Sequence, residues 1–322
     1  MRVALALLLL VSGLAPASLS AQPTRFRVDA SFVKVPVAVS DRNGRSILGL
    51  TRKDFRVFDE GQERAIENFV LDKAPLQVVL LLDVSGSVNE EIDEMRASAI
   101  SFAEEFGKED RIAVITFADK VDVLQNWTND LRKLKKSLKK IEPGYRTALY
   151  DALSQTRQKL ASVPGKRVVI LLTDGVDNES QVGYDKVLGE LLAQDVSVFI
   201  VGRTRLVLPQ VQRLKRVEYM NRIMKNLLKE DKNFVEIYFR EKETAIRYMA
   251  ESTGGRALFP EKLSELSGAY KQIALELKNQ YLLTFLQPAD SQLRFRTIQV
   301  HCNVPFGRLY YRQQYVWNTR AR

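Results

Sequence analysis

The stretch QVVLLLDVSGS, residues 77–87, joins an unbroken apolar run to a turn of small, oxygen-bearing side chains. An apolar run without polar alternation predicts a strand covered on both faces, as in a parallel sheet layered between helices. Similar β-branched runs predict further strands at 111–117, 167–172, 196–201 and 256–259. Segments of helical period separate them, at 90–106, 131–141, 148–161, 184–193 and 244–252. Strand and helix in alternation predict an α/β domain over residues 74–260, built on a doubly wound, mostly parallel sheet.

Outward from this core the pattern changes. Residues 22–73 read as an N-terminal β unit, with period-two alternation at 32–39, a turn signal in DRNG at 41–44, and short strands at 54–59 and 65–70. Residues 261–322 read as a helix at 263–278 followed by strands at 281–286, 295–303 and 308–317. Three or four strands are marginal alone, so the two end segments are expected to combine into a small all-β sandwich, with the α/β domain inserted in it. Residues 203–240 interrupt the α/β alternation. There Val211, Leu214, Val217, Met220, Ile223, Met224, Leu227 and Leu228 follow Pro209 at helical spacing, predicting an added amphipathic helix.

At the start of the chain, Arg2 precedes an apolar run from Ala4 to Leu14 and then the small residues Ala15, Ala17, Ser18, Ser20 and Ala21. This is the order of a secretory signal peptide, assigned to residues 1–21, and the run is short for a membrane span. The protein is therefore expected to be exported, periplasmic or secreted. A single cysteine, Cys302, excludes an intramolecular disulfide, and a single histidine, His301, excludes multi-histidine zinc sites.

The candidate chemistry lies where three predicted strands or loops end: Asp83, Ser85 and Ser87 after the first strand, Thr147 at the start of a helix, and Asp174 after the VVILL strand. In open parallel sheets, loops at the carboxyl ends of neighbouring strands converge. Five oxygen donors with neither sulfur nor imidazole suit a hard divalent cation, Mg²⁺ first, with Mn²⁺ or Ca²⁺ also admissible. With few carboxylates among the donors, such an ion would keep positive charge and accept an anionic oxygen from outside. Without a metal, the same residues would serve as helix caps and turn-forming side chains.

DVSGS at 83–87, the threonine of GYRTALYDAL at 147 and TDG at 173–175 resemble the three parts of the metal-ion-dependent adhesion site of von Willebrand factor type A domains. The resemblance spans about residues 75–260. It implies a Rossmann-like fold and a binding role, with the two serines and the threonine on the metal, the aspartates often acting through water, and an acidic residue of a partner completing the coordination. The flanking LTRKDFRVFDEG at 50–61 and STGGR at 252–256 resemble the VWFA-related family of exported bacterial proteins.

The net charge of +10 is concentrated in residues 203–240, where ten Lys/Arg face four Asp/Glu, a local net of +6. That segment is a candidate contact for anionic envelope polymers or lipid headgroups; export argues against nucleic acid. The expected function is thus a non-enzymatic, metal-dependent binding module that captures a carboxylate of a protein partner. Two alternatives stand beside it: a structural envelope-assembly protein whose metal only stabilises the fold, and a metal-dependent hydrolase, for which no general base is evident.

Overall fold

The computed structural model describes residues 32–86, 91–213, 234–287, 295–305 and 307–317. The expected signal peptide, Ser87 and the middle of the 203–240 segment lie outside the described residues. Along the chain the strands are β1 (Phe32–Ser40), β2 (Phe55–Asp59), β3 (Gln62–Arg64), β4 (Asn68–Leu71), β5 (Leu76–Asp83), β6 (Arg111–Phe117), β7 (Val121–Thr128), β8 (Lys166–Thr173), β9 (Val196–Gly202), β10 (Ala257–Leu258), β11 (Gln280–Leu286), β12 (Phe295–Cys302), β13 (Arg308–Tyr311) and β14 (Gln314–Val316). The α-helices are α1 (Ile92–Glu104), α2 (Leu131–Leu138), α3 (Leu149–Ala161), α4 (Tyr184–Ala193), α5 (Thr204–Arg213), α6 (Phe234–Thr253) and α7 (Leu266–Lys278).

Six strands form the central sheet in the order β10-β9-β8-β5-β6-β7. All pairings are parallel except β6 with β7. Every residue of β5 is buried, and its period-two alternation divides them between two cores. Val78, Leu80 and Leu82 face α1, α2 and α7, packing with Met95, Phe102, Leu134 and Tyr270. Val79 and Leu81 face α3, α4 and α6, packing with Leu153, Leu191 and Met249. The doubly wound, mostly parallel sheet read from the apolar runs is the observed architecture.

The two chain ends form two four-stranded sheets, β13-β1-β11-β4 and β14-β12-β2-β3. Val35, Val57, Leu283, Phe285, Ile298 and Val300 fill the space between them, giving the expected sandwich built from both end segments. A buried charge cluster ties its edge: the Arg296 guanidinium donates twice to the Asp59 carboxylate, at 2.9 Å each, and Tyr315 Oη donates to the same group at 3.2 Å.

Several elements differ from the sequence reading. Of the predicted strand at 65–70 only residues 68–70 are strand, in β4; residues 65–67, with Ile66 buried, carry the chain from β3 in one sheet to β4 in the other. The predicted strand at 308–317 breaks in the same way into β13 and β14. Arg312 lies at that break, buried because its guanidinium donates to the Asp195 carboxylate and the Leu192 carbonyl of the α/β domain. β7 went unread because Val121–Thr128 alternates weakly and is nowhere fully buried, as befits an edge strand. The helix predicted from residue 244 begins at Phe234, and α5 already starts at Thr204, so described parts of the 203–240 segment are helices packed on the domain. Among the described residues no helix is long and apolar enough to cross a membrane.

Candidate metal centre

The strand order reverses direction at β5: the chain runs from β5 through β6 to β7 on one side, then returns to β8, β9 and β10 on the other. Such a switch point opens a crevice at the carboxyl ends of the strands, and the predicted donors line it. Asp83 is the last residue of β5, Asp174 follows β8, and the strands are neighbours with Leu82 opposite Leu172.

The turn after β5 is joined to the loop carrying Thr147. Ser85 and Gly144 form an isolated parallel bridge, with Gly144 N–H donating to the Val84 carbonyl at 2.8 Å and Gly86 N–H to the Gly144 carbonyl at 3.0 Å. Only glycine fits at 144, since a Cβ there would stand 2.4 Å from the Ala118 Cβ. The next two amides, of Tyr145 and Arg146, each donate to the Asp119 carboxylate at 3.1 Å. This pinning leaves Tyr145 projecting, 89% exposed, from a loop held on both sides.

Thr147 is held from the third loop. Its amide donates to Asn178 Oδ1 at 3.0 Å, and its carbonyl accepts from the Asn178 and Glu179 amides at 3.0 and 3.2 Å. α3 begins at Leu149 after Ala148, which has no capping side chain, so its first amides need acceptors from elsewhere. Asp177 Oδ1 accepts from Leu149 N–H at 2.8 Å, while Ser180 Oγ accepts from Tyr150 and Asp151 at 3.0 and 3.2 Å. Asp177 and Asn178 are thus positioning residues that reading along the chain left out. The absence of a capping side chain at Ala148, beside an acidic loop, was the available signal.

At the centre, Asp83 is fully buried. Its Oδ1 accepts from the Ser85 amide at 3.0 Å and from the Ser85 hydroxyl; its Oδ2 accepts from Thr173 Oγ1 at 2.8 Å. Thr173 Oγ1 in turn accepts from Gly175 N–H, and Asp174 Oδ1 accepts from Val176 N–H, both at 3.0 Å. Burial, and then the nearby negative charge of Asp174, raise the Asp83 carboxyl from its ordinary value to about 6; the Arg203 guanidinium and the Ser85 donors oppose that rise. Arg203 is itself buried, paired at 3.1 Å with Glu91.

Four of the five predicted donors, Asp83, Ser85, Thr147 and Asp174, therefore occupy adjoining loops at one corner of the sheet; Ser87 is outside the described residues. The donor set fits a hard cation: Asp83 is buried, the less buried Asp174 adds negative charge near it, and a divalent ion held there would offset that charge. Among the described residues no three His, Cys, Asp or Glu side chains cluster as a metal site, so hydroxyls would have to contribute, as the sequence pattern requires.

The helices α5 and α6 lie beside this corner. A Cβ at Gly175 would be 3.1 Å from Ile246 of α6, and Val176 packs with Val207, Val235 and Phe239. His301, by contrast, is on β12 opposite Arg56, with its ring 5.0 Å from that of Phe58, in the sandwich rather than at this edge.

The family model of the von Willebrand factor type A domain matches residues 78–176. No curated protein matches the chain. Among solved structures, an aerotolerance-related membrane protein from Bacteroides fragilis aligns at 16% identity with a TM-score of 0.46, covering 63% of this chain and 98% of that one. A von Willebrand factor type A protein from Catenulispora acidiphila aligns at 10% identity with a TM-score of 0.47, covering 91% and 76% respectively. Proximal thread matrix protein 1 from the mussel byssus, in a form with a zinc-occupied MIDAS motif, aligns at 17% identity with a TM-score of 0.48, covering 70% of this chain and 50% of that one. The stretch from the first parallel strand to the loop bearing Asp174 is accordingly a von Willebrand factor type A domain.

Proposed function

We propose that this protein is an exported binding module that captures an acidic group of a protein partner through a divalent cation, Mg²⁺ before Mn²⁺ or Ca²⁺, held by Asp83, Ser85, Ser87, Thr147 and Asp174. The observation that carries the reading is the crowding of Asp83 and Asp174 at the carboxyl edge, with the Ser85 hydroxyl already turned onto Asp83. A bound cation supplies an open coordination position for an anionic oxygen. The chain's own residues do the rest. Gly144, Asp119 and Asn178 hold the three loops in register, so the donors need not be ordered when the ion arrives. The neutral hydroxyl donors leave net positive charge for the partner's carboxylate, and Tyr145 offers an exposed aromatic surface beside it.

A binding role agrees with the chemistry at this edge, where Ser85 occupies the place a second acidic residue would take as general base, and His301 is elsewhere. Export rests on the N-terminal pattern Arg2, Ala4 to Leu14 and the small residues to Ala21.

The test compares folded wild-type protein in Mg²⁺, wild-type protein in EDTA, and Asp83→Ala in Mg²⁺, each as bait for an envelope fraction, with calorimetric Mg²⁺ titration of both proteins. Capture in the first condition alone, with Mg²⁺ binding lost in the variant, is the expected result. Equal capture in all three would sink metal-dependent recognition and favour a cation that only stabilises the fold.

A further inference from the structure

At the opposite, amino-terminal edge of the parallel sheet, a cavity of about 240 Å³ lies between the sandwich and the α/β domain. Its walls come from β1 and β11 on one side and from the starts of β8 and β9 on the other. β8 carries Lys166 at this edge and Thr173 at the metal edge; at about 3.3 Å per residue the two edges are roughly 23 Å apart. The cavity is therefore separate from the site described above. Junctions between domains are common places for small-molecule sites, and this volume suits a small molecule rather than a polymer.

Four cations and two carboxylates line it: Lys34, Lys166, Arg167 and Arg312 against Asp72 and Asp195. Two of the cations are matched. Lys166 pairs with Asp72 at 3.4 Å and donates to the Leu277 carbonyl at 2.7 Å, while Arg312 pairs with Asp195. The other two have no carboxylate within ion-pair distance among the described residues. Lys34 is exposed on β1, and among the described residues Arg167 donates to carbonyls, through Nε to Val163 at 3.1 Å and through Nη1 to Gln194 at 3.0 Å, with no acceptor there for Nη2. The lining thus keeps two positive charges, one of them a guanidinium with donors to spare, which suits a phosphate group. Pro36, Val168 and Leu282 supply apolar wall beside them.

We propose that this cavity is a binding site for a small soluble phosphomonoester with a short apolar body. A phosphomonoester carries about −1.5 to −2 charges at pH 7, which matches the two unpaired cations, and the apolar wall accommodates the esterified group. Because the ligand would touch both the sandwich and the sheet, its binding would also hold the junction closed.

The test is calorimetric titration of the full chain with phenyl phosphate in EDTA, so that no cation at the other edge can bind the anion. Saturable binding is expected, weakening as salt is raised, and weakening at least about tenfold in Lys34→Glu, whose exposed position leaves the fold intact. A second variant, Leu282→Trp, fills the cavity and is expected to abolish binding, with circular dichroism confirming that it is folded. Absence of saturable binding to the wild type, or equal affinity in folded Lys34→Glu, would overturn the site. Tighter binding of succinate than of phenyl phosphate would overturn the phosphate assignment. Binding to phosphatidic acid vesicles without binding to phenyl phosphate would replace the cavity with a membrane-facing surface and overturn it as well.

Discussion

The two edges of the parallel sheet treat charge in opposite ways. At the amino edge and the junction with the sandwich, most ions are matched: Arg256 meets Glu276 at 2.9 Å with both side chains nearly buried, and the same guanidinium covers the Tyr310 ring at 4.2 Å from its centroid. At the carboxyl edge, Asp83 is buried with Asp174 beside it, and the Arg203 guanidinium that opposes their charge also pairs with Glu91. One edge uses charge to dock two layers. The other buries one carboxylate near a second, with burial and then Asp174 raising the Asp83 carboxyl against the pull of Arg203 and the Ser85 donors. Strained electrostatics therefore mark the candidate site more clearly than cavity size does.

The largest expected effect comes from breaking the matched edge. Arg256→Met leaves the Glu276 carboxyl buried without its partner and should destabilise the protein by about 3–5 kcal/mol in urea unfolding. Burial raises Glu276 to about 7, with Arg256 opposing the rise, so the loss should be greater above neutral pH, where the orphaned carboxyl must ionise. A loss below about 1 kcal/mol would mean that docking rests on packing, and the contrast between the edges would dissolve.

Next in size is the response of the strained edge to metal. At a Mg²⁺ concentration one hundred times its dissociation constant, the thermal transition should gain about 3 kcal/mol of stability, and Asp83→Asn should lose that gain. pH gives the sign. The folded value of Asp83, about 6, lies above the ordinary 3.8, so between these values the folded state holds a proton that the unfolded chain has released. This group's contribution to metal-free stability is therefore greatest below about 4 and falls as pH rises through 6. Mg²⁺ competes with the same proton, so its stabilisation should grow over that window. A metal effect independent of pH from 4 to 7 would separate Asp83 from the binding site.

The smallest effect tests the loop register. Gly144→Ala forces a Cβ against Ala118 and should cost about 1–3 kcal/mol, with Mg²⁺ affinity falling as the Thr147 loop shifts. Unchanged affinity in a destabilised variant would show that the bridge to Ser85 supports the fold without positioning a donor.

Much of this was legible along the chain. β6 and α4 have the bounds that periodicity assigned, because a strand buried on both faces and an amphipathic helix write their packing into local pattern. Edge strand β7 and the layer crossings at 65–67 and 312–313 were not legible, since nothing local distinguishes a strand that continues from one that changes sheet. The candidate donors could be named because their spacing is a motif. Asp119, Asp177 and Asn178 are not part of that motif, and each acts on backbone 26 to 31 residues away in the chain.

By itself, then, the sequence determined the doubly wound sheet, the pairing of the two chain ends in a sandwich, and the oxygen-only character of the candidate donors, all properties carried by side-chain type and period. Tertiary structure alone decided which carboxylate is buried near another and which meets a cation directly, as Asp83 and Glu276 do in their different ways. The reason is physical: Coulomb energy and desolvation depend on distance and burial, and neither follows from order along the chain.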